Sequence, residues 1–389
     1  MKYAKIMAAV TGAMCWALTG CEKVLVVEKP EPFPPVEEEG RYILLEEVAE
    51  LLAVLPLGPE QMTEVQDATG ASAGNGYDDE YRMRDLFAAP GSGVGSGGEV
   101  KAEGKYSRPL RDLLREAVAT KAGEGDAWLD SLAASDVQIY WPEADAWDGV
   151  SLPVITYDPG DGAVRNEGYA LQADGTVKKV MVDEQMTREQ PVWVVNRNSD
   201  AEYKSLEMLR REDPAWGTGG GELIVGGTKA DDGIQTLVLR SFRALRQYDT
   251  WFAGGSEFWV KIGAVEDFTA VTEPEMRLYQ PSITDFMIVV RRSQTDEVLP
   301  FNAILVSEWT SQLTSCAFLM TEDDGGSQTT WECTAMVKYN SKSYGFDLEI
   351  PLNSRDDIVW RGALSHKYIE KYNGKPARFG DVELVMELL

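Results

Sequence analysis

Three patterns of apolar residues succeed one another along the chain: an unbroken run at the start, a helical period, and then a period of two. In the helical part, Leu44, Leu45, Val48, Leu51, Leu52 and Leu55 recur at spacings of three and four. They fall on one helical face, and Pro56, Gly58 and Pro59 end the helix. Similar patterns predict helices over 60–68, 81–87, 110–119 and 127–134. From about residue 137 the alternation predicts strands over 137–141, 153–157, 168–173, 176–182 and 191–196, with Asp174-Gly175 as a hairpin turn. A second block of strands covers 235–240, 257–262, 285–292, 302–307, 313–320, 330–338, 344–350 and 382–388. Many short strands joined by Gly, Asp and Pro argue for an antiparallel sandwich rather than alternating β/α units. The expected fold class is therefore α+β, a mixed helical and β region over 41–220 followed by a C-terminal antiparallel β-sandwich over 234–389. The glycine cluster in 217–233 marks the boundary, and no repeat of fixed period is visible.

The opening run has its own meaning. Lys2 and Lys5 precede an apolar stretch over 6–18, and Leu18-Thr19-Gly20-Cys21 closes it. This is the form of a secretory signal peptide, residues 1–20, ending in a lipobox whose cysteine, Cys21, receives acyl chains such as palmitate. The run is shorter than the roughly 20 apolar residues that span a bilayer, which favours a membrane anchor through lipid over a transmembrane helix. Residues 21–40 include Glu28-Lys29-Pro30-Glu31-Pro32-Phe33-Pro34-Pro35-Val36-Glu37-Glu38-Glu39, an acidic Pro/Glu stretch that cannot pack and reads as a tether.

Composition narrows the function. The 389 residues carry a formal net charge of −27, against the basic surface that a nucleic-acid binder needs. Hydrophobic residues at 44% and charged residues at 26% suit a globular chain. One histidine and four cysteines leave little for zinc, iron or imidazole chemistry. The histidine, His366, sits in the polar stretch Leu364-Ser365-His366-Lys367-Tyr368 and reads as a surface residue. No H-E-x-x-H, Walker A or EF-hand loop occurs. The match of Gly93-Val94-Gly95-Ser96-Gly97-Gly98 to G-x-G-x-x-G follows Leu86-Phe87-Ala88-Ala89-Pro90, not the buried strand that a dinucleotide fingerprint requires.

Beyond the signal, Cys316 and Cys333 remain. If Asp324-Gly325 form a two-residue turn, these cysteines face each other at a non-hydrogen-bonded position, where a disulfide is geometrically allowed. Two reduced cysteines in contact is the other reading. The oxygen chemistry resides in Asp231-Asp232, Asp323-Asp324 and Asp356-Asp357, three pairs at strand connections that can bind Ca²⁺ if the sheet order gathers two of them. Asp148, Asp158 and Asp161 offer a similar set, although Asp at a turn commonly serves its own backbone. Of the 11 tryptophans, Trp147, Trp216 and Trp251 lie beside Asp or Gly in expected loops and are the candidates for ligand stacking.

The lipobox, the acidic tether and the stretches Val137-Gln138-Ile139-Tyr140-Trp141-Pro142, Asp148-Gly149-Val150-Ser151-Leu152-Pro153-Val154-Ile155-Thr156-Tyr157-Asp158-Pro159 and Pro191-Val192-Trp193-Val194-Val195-Asn196-Arg197 resemble uncharacterised lipoproteins of gut Bacteroidetes. The resemblance implies an envelope-anchored location and carries no catalytic residues. The expected protein is a lipid-anchored module of the cell envelope, at the outer membrane, that binds a protein or glycan partner without catalysis. The alternative is a carboxylate- or calcium-dependent hydrolase acting on extracellular polymer.

Overall fold

The computed structural model describes residues 43–88, 105–119, 125–172, 174–198, 203–212 and 234–389. Cys21, Trp216, Asp231 and Asp232, with the signal and tether segments, lie outside the described residues. The first helix follows its spacing: α1 (Leu45–Ala53) buries Val48, Ala49 and Leu52. Helix α2 (Pro59–Gly74) begins on a proline, whose fixed φ suits a first turn, and Gln61 Oε1 accepts a hydrogen bond from Gly58 N at 2.9 Å. It runs past residue 68 because its last turns bury Thr69 and Ser72, small polar residues that apolar periodicity does not register.

The helix expected over 81–87 divides into β1 (Glu80–Arg82) and α3 (Met83–Phe87), since Tyr81 pairs across a sheet with Ile139. After α4 (Leu110–Ala119) and α5 (Gly125–Ala133) come β2 (Val137–Tyr140), β3 (Val154–Tyr157), β4 (Arg165–Leu171), β5 (Val177–Asp183), α6 (Glu184–Thr187), β6 (Val192–Arg197) and α7 (Leu206–Glu212). The first sheet has the order β1-β2-β6-β3-β4-β5 and is antiparallel except for the β3–β6 pair. Both faces of β6 are covered: Trp193 and Val195 join the core beneath α1, α2, α4 and α5, whereas Val192 and Val194 join a second cluster with Trp251 and Phe252. Alternate side chains point to opposite faces, so a strand buried on both sides reads as a continuous apolar run.

The C-terminal block comprises β7 (Gln235–Ala244), β8 (Ser256–Ala264), α8 (Glu273–Met276), β9 (Ser282–Val290), β10 (Leu299–Trp309), β11 (Leu313–Glu322), β12 (Gln328–Tyr339), β13 (Lys342–Asn353), β14 (Asp357–Ser365), α9 (His366–Tyr372), β15 (Pro376–Phe379) and β16 (Val382–Leu388). It forms two antiparallel sheets, one in the order β10-β7-β16-β15 and one in the order β13-β12-β11-β8-β9, with β14 also paired to β11. Leu239, Phe242 and Leu384 from the first pack into one core with Phe258, Ile262 and Phe318 from the second. The chain is thus mixed α and β, with its antiparallel sheets mostly C-terminal.

The cysteine register differs from the expected one. β11 meets β12 only at Leu313↔Val337 and Ser315↔Met336, and from Ala317 onward it lies between β8 and β14. Cys316 therefore opposes Leu364 and Cys333 opposes Leu348. Both thiols are free, donating at 3.7 Å to the Leu364 carbonyl and at 3.6 Å to the Leu348 carbonyl. The cause is the turn: residues 323–327, with Gly325 and Gly326 at φ +66° and +104°, form a longer connection than two residues, which lets β12 swing away to pair with β13.

Candidate functional site

The segment between β7 and β8, residues 245–255, ties the C-terminal strands to the first sheet. Gln247 fixes its start, donating to Thr295 Oγ1 at 2.8 Å and accepting from Ser256 N at 2.9 Å. Trp251 and Phe252 are buried, and Trp251 Nε1 donates to the Val164 carbonyl at 3.0 Å. Asn196 donates to the carbonyls of Phe252 and Ala253 at 2.9 and 2.7 Å. At the far end Gly255 N donates to Asp78 Oδ2 at 2.7 Å. Gly254, at φ +125°, has no room for a side chain, since a Cβ there would lie 2.5 Å from the same carboxylate oxygen.

This segment brings charge together. Arg292 Nε pairs with Glu184 at 3.1 Å, and its Nη1 donates to the carbonyls of Asp249 and Gly254, each at 3.3 Å. Arg291 pairs with Asp79 at 3.2 Å. Burial pushes the Asp78 and Asp79 carboxyls up, and the two arginines oppose it. Beside them Asp249, in the segment, meets Glu322, the last residue of β11, and Asp324 in the turn that follows. One carboxylate oxygen from each lies within 4.8 Å of the others. Glu322 is 0% exposed, and neither of its oxygens has a donor in good hydrogen-bonding geometry, with the Asp249 carboxyl and the Ser256 hydroxyl as its polar neighbours. Burial, and after it the Asp249 carboxyl, push Glu322 far above the usual carboxylate range. Asp249 is raised too, mainly by burial.

Next to this group opens a pocket of about 460 Å³. The first sheet supplies Arg165 and Asp183, and α6 supplies Glu184; the segment supplies Tyr248, Asp249 and Trp251, with Arg292 between. Arg165 is exposed and pairs with Asp183 at 3.3 Å. The lining therefore offers both signs of charge beside aromatic surface, which suits a polar, uncharged or zwitterionic ligand face.

No family model, curated protein or solved structure matches the chain. The site's chemistry therefore follows from its own geometry.

The residues singled out in the sequence fare differently. Asp323 and Asp356 act within the turns: Asp323 accepts from Trp259 Nε1 at 3.0 Å, Gly325 N at 2.9 Å and Asn353 Nδ2 at 3.1 Å, and Asp356 accepts from Asn353 N at 2.9 Å. Asp357 is exposed and pairs in register with Glu322. The two Asp pairs do share one end of the sheets, but only Asp324 enters the acidic triad. Asp148, Asp158 and Asp161 each accept hydrogen bonds from amides two or three residues on, at Ser151 and Val150, Gly160 and Ala163. Trp147 is half-buried, its Nε1 bonded to the Ser151 carbonyl at 2.9 Å. Trp251, expected to be exposed, is 3% exposed, because its ring fills the space over β6 and stacks on Phe252 at 3.9 Å.

His366 is not a free surface group: Nδ1 accepts from Trp309 Nε1 at 2.6 Å and Nε2 faces Glu370 at 3.3 Å. Burial pushes the thiols up, Cys316 to about 12 and Cys333 to about 11, opposite to the shift that activates a nucleophilic cysteine. Sequence reasoning missed Asp249 and Glu322. Asp249 had no distinguishing neighbour, and Glu322 stood in the apolar run 316–322, where a lone acid at the end of a buried strand is the available signal.

Proposed function

We propose that this chain is a lipid-anchored lipoprotein of the bacterial cell envelope, held at the outer membrane through Cys21, and that its folded part is a non-enzymatic module binding a protein or glycan partner. The anchor rests on the lipobox and on the resemblance to Bacteroidetes lipoproteins. Among the described residues no helix is long and apolar enough to cross a membrane. The C-terminal sheets are read as an antiparallel sandwich, supported by the core that they share.

One observation carries binding over hydrolysis. Glu322, an acid of the triad beside the pocket whose proton affinity burial raises, is wholly buried. A glycosidase acid must touch the glycosidic oxygen of its substrate, and a polymer cannot reach Glu322 from the pocket. The accessible groups there are Arg165, Tyr248 and Asp183, suited to hydrogen bonding and stacking.

Metabolic labelling with palmitate and membrane fractionation in a Gram-negative host test the anchor: Cys21→Ala is expected to lose the label and leave the membrane fraction, and a variant still labelled overturns the lipid anchor. A glycan and envelope-protein binding panel tests the pocket. Arg165→Glu is expected to weaken a bound ligand at least tenfold with thermal unfolding unchanged, because Arg165 is exposed. Hydrolysis of the panel ligand that disappears in Asp249→Asn would overturn the non-enzymatic reading.

A further inference from the structure

We infer that Asp249, Glu322 and Asp324 form a calcium site at the junction of the β7–β8 segment and the β11–β12 turn. This inference does not depend on the lipid anchor or on a ligand in the pocket. Two separate stretches of chain, one at Asp249 and one carrying Glu322 and Asp324, bring three carboxylate oxygens to within 4.8 Å of one another. Such a span is bridged by one Ca²⁺, whose oxygen ligands lie at about 2.3–2.6 Å.

The independent observation is Glu322. It is 0% exposed, and neither carboxylate oxygen has a donor in good hydrogen-bonding geometry; its polar neighbours are the Asp249 carboxyl, which repels it when ionised, and the Ser256 hydroxyl. A buried carboxylate is stable only when paired, protonated or bound to a metal ion. No arginine supplies the pairing: Arg292 directs its guanidinium at Glu184 and at the carbonyls of Asp249 and Gly254. Around the group, Asp78, Asp323 and Asp357 add negative potential, which Arg292 beside Asp249 and Arg355 beside Asp324 partly offset.

The burial gradient also fits an ion. Glu322 forms the floor, Asp249 is half-buried and Asp324 is exposed, so an ion entering from solvent meets Asp324 first and keeps water on its outer side. All three donors are oxygens, which selects a hard cation over zinc or copper. Ca²⁺ accepts six to eight ligands in loose geometry, so three carboxylates and water suffice, whereas Mg²⁺ demands a near-ideal octahedron and gives up water reluctantly. The alternative occupant is a proton shared between Glu322 and Asp249.

Thermal unfolding of the purified full chain in EDTA, CaCl₂ and MgCl₂ decides between them, together with terbium luminescence excited through the aromatic residues Tyr248 and Trp251 of the segment. The expected result is a rise in Tm of several degrees with millimolar Ca²⁺, a smaller one with Mg²⁺, and sensitised Tb³⁺ emission that Ca²⁺ displaces. Asp324→Asn, a change at an exposed turn, is expected to abolish both responses while leaving Tm in EDTA unchanged. Glu322→Gln should abolish them and raise Tm in EDTA, since it removes the cost of burying a group that is ionised in the unfolded chain. The control Asp148→Asn should respond as the parent does. No Ca²⁺ response in the parent, an equal response to Mg²⁺, or a response retained in both Asp324→Asn and Glu322→Gln overturns the site.

Discussion

Glu64 shows how one buried carboxyl can set a pH dependence for the whole fold. It lies in α2, 6% exposed, and accepts a hydrogen bond from Leu110 N at 2.7 Å, satisfying an amide at the start of α4. Burial raises its pKa from the ordinary 4.5 to about 7, against the pull of the Leu110 amide and Arg111. The folded state therefore holds this proton more tightly than the unfolded chain. Its stabilising effect is complete below pH 4.5 and is lost as pH rises through 7, with an upper bound of about 3 kcal/mol. Glu64→Gln keeps the acceptor and removes the titration. Denaturant unfolding between pH 4.5 and 8 is expected to show a shallower fall in stability for the variant than for the parent, and parallel curves would mean that Glu64 titrates normally. The residue scale is also where the sequence was least informative. Nothing in the string Tyr248-Asp249-Thr250 distinguishes Asp249 from the other acids, because its partners are far away along the chain.

At the level of elements, local pattern and tertiary pairing part company in β11. Its neighbours β8 and β14 occupy both edges from residue 317 onward, so the hairpin with β12 survives only at Leu313 and Ser315. β14 itself was hidden: Asp356-Asp357 reads as a turn, and Gly362 interrupts the strand pattern. The structure explains that glycine, since a Cβ there would meet the Trp360 ring at 2.9 Å. The consequence is measurable by alkylation and mass spectrometry. Unfolded, unreduced protein is expected to take label at both Cys316 and Cys333, whereas native protein should resist at Cys316, which is fully buried. A bridged pair in the unreduced chain would mean that β11 and β12 share the register first expected. By contrast, α1 follows its local signal, and the β4–β5 hairpin forms where expected, although one residue out of the register that a two-residue turn at Asp174-Gly175 would give. Leu171 pairs with Val177 around Gly175 at φ +82°, with Asp174 Oδ1 accepting from Thr176 N.

On the scale of the whole molecule, residues 41–389 form one compact unit. The reason lies in the β7–β8 segment, whose Trp251 and Phe252 complete the apolar cluster on one face of the first sheet. Trp251→Ala would leave a cavity there and cost on the order of 3–5 kcal/mol. Calorimetry of the parent is expected to show one cooperative transition, and of Trp251→Ala a lower Tm with separation into two. A variant that unfolds as the parent does would mean that the two parts are coupled elsewhere. The sequence by itself determined the mixture of α and β, most of the early helices and most strand positions, because helix and strand periods and turn residues are local properties of the chain. Tertiary structure alone decided the parallel β3–β6 pair, the partners of β11, the burial of Trp251 and the meeting of Asp249, Glu322 and Asp324. Each depends on which surfaces of distant segments bury one another, and a period of two states only that a strand has two faces, not what covers them.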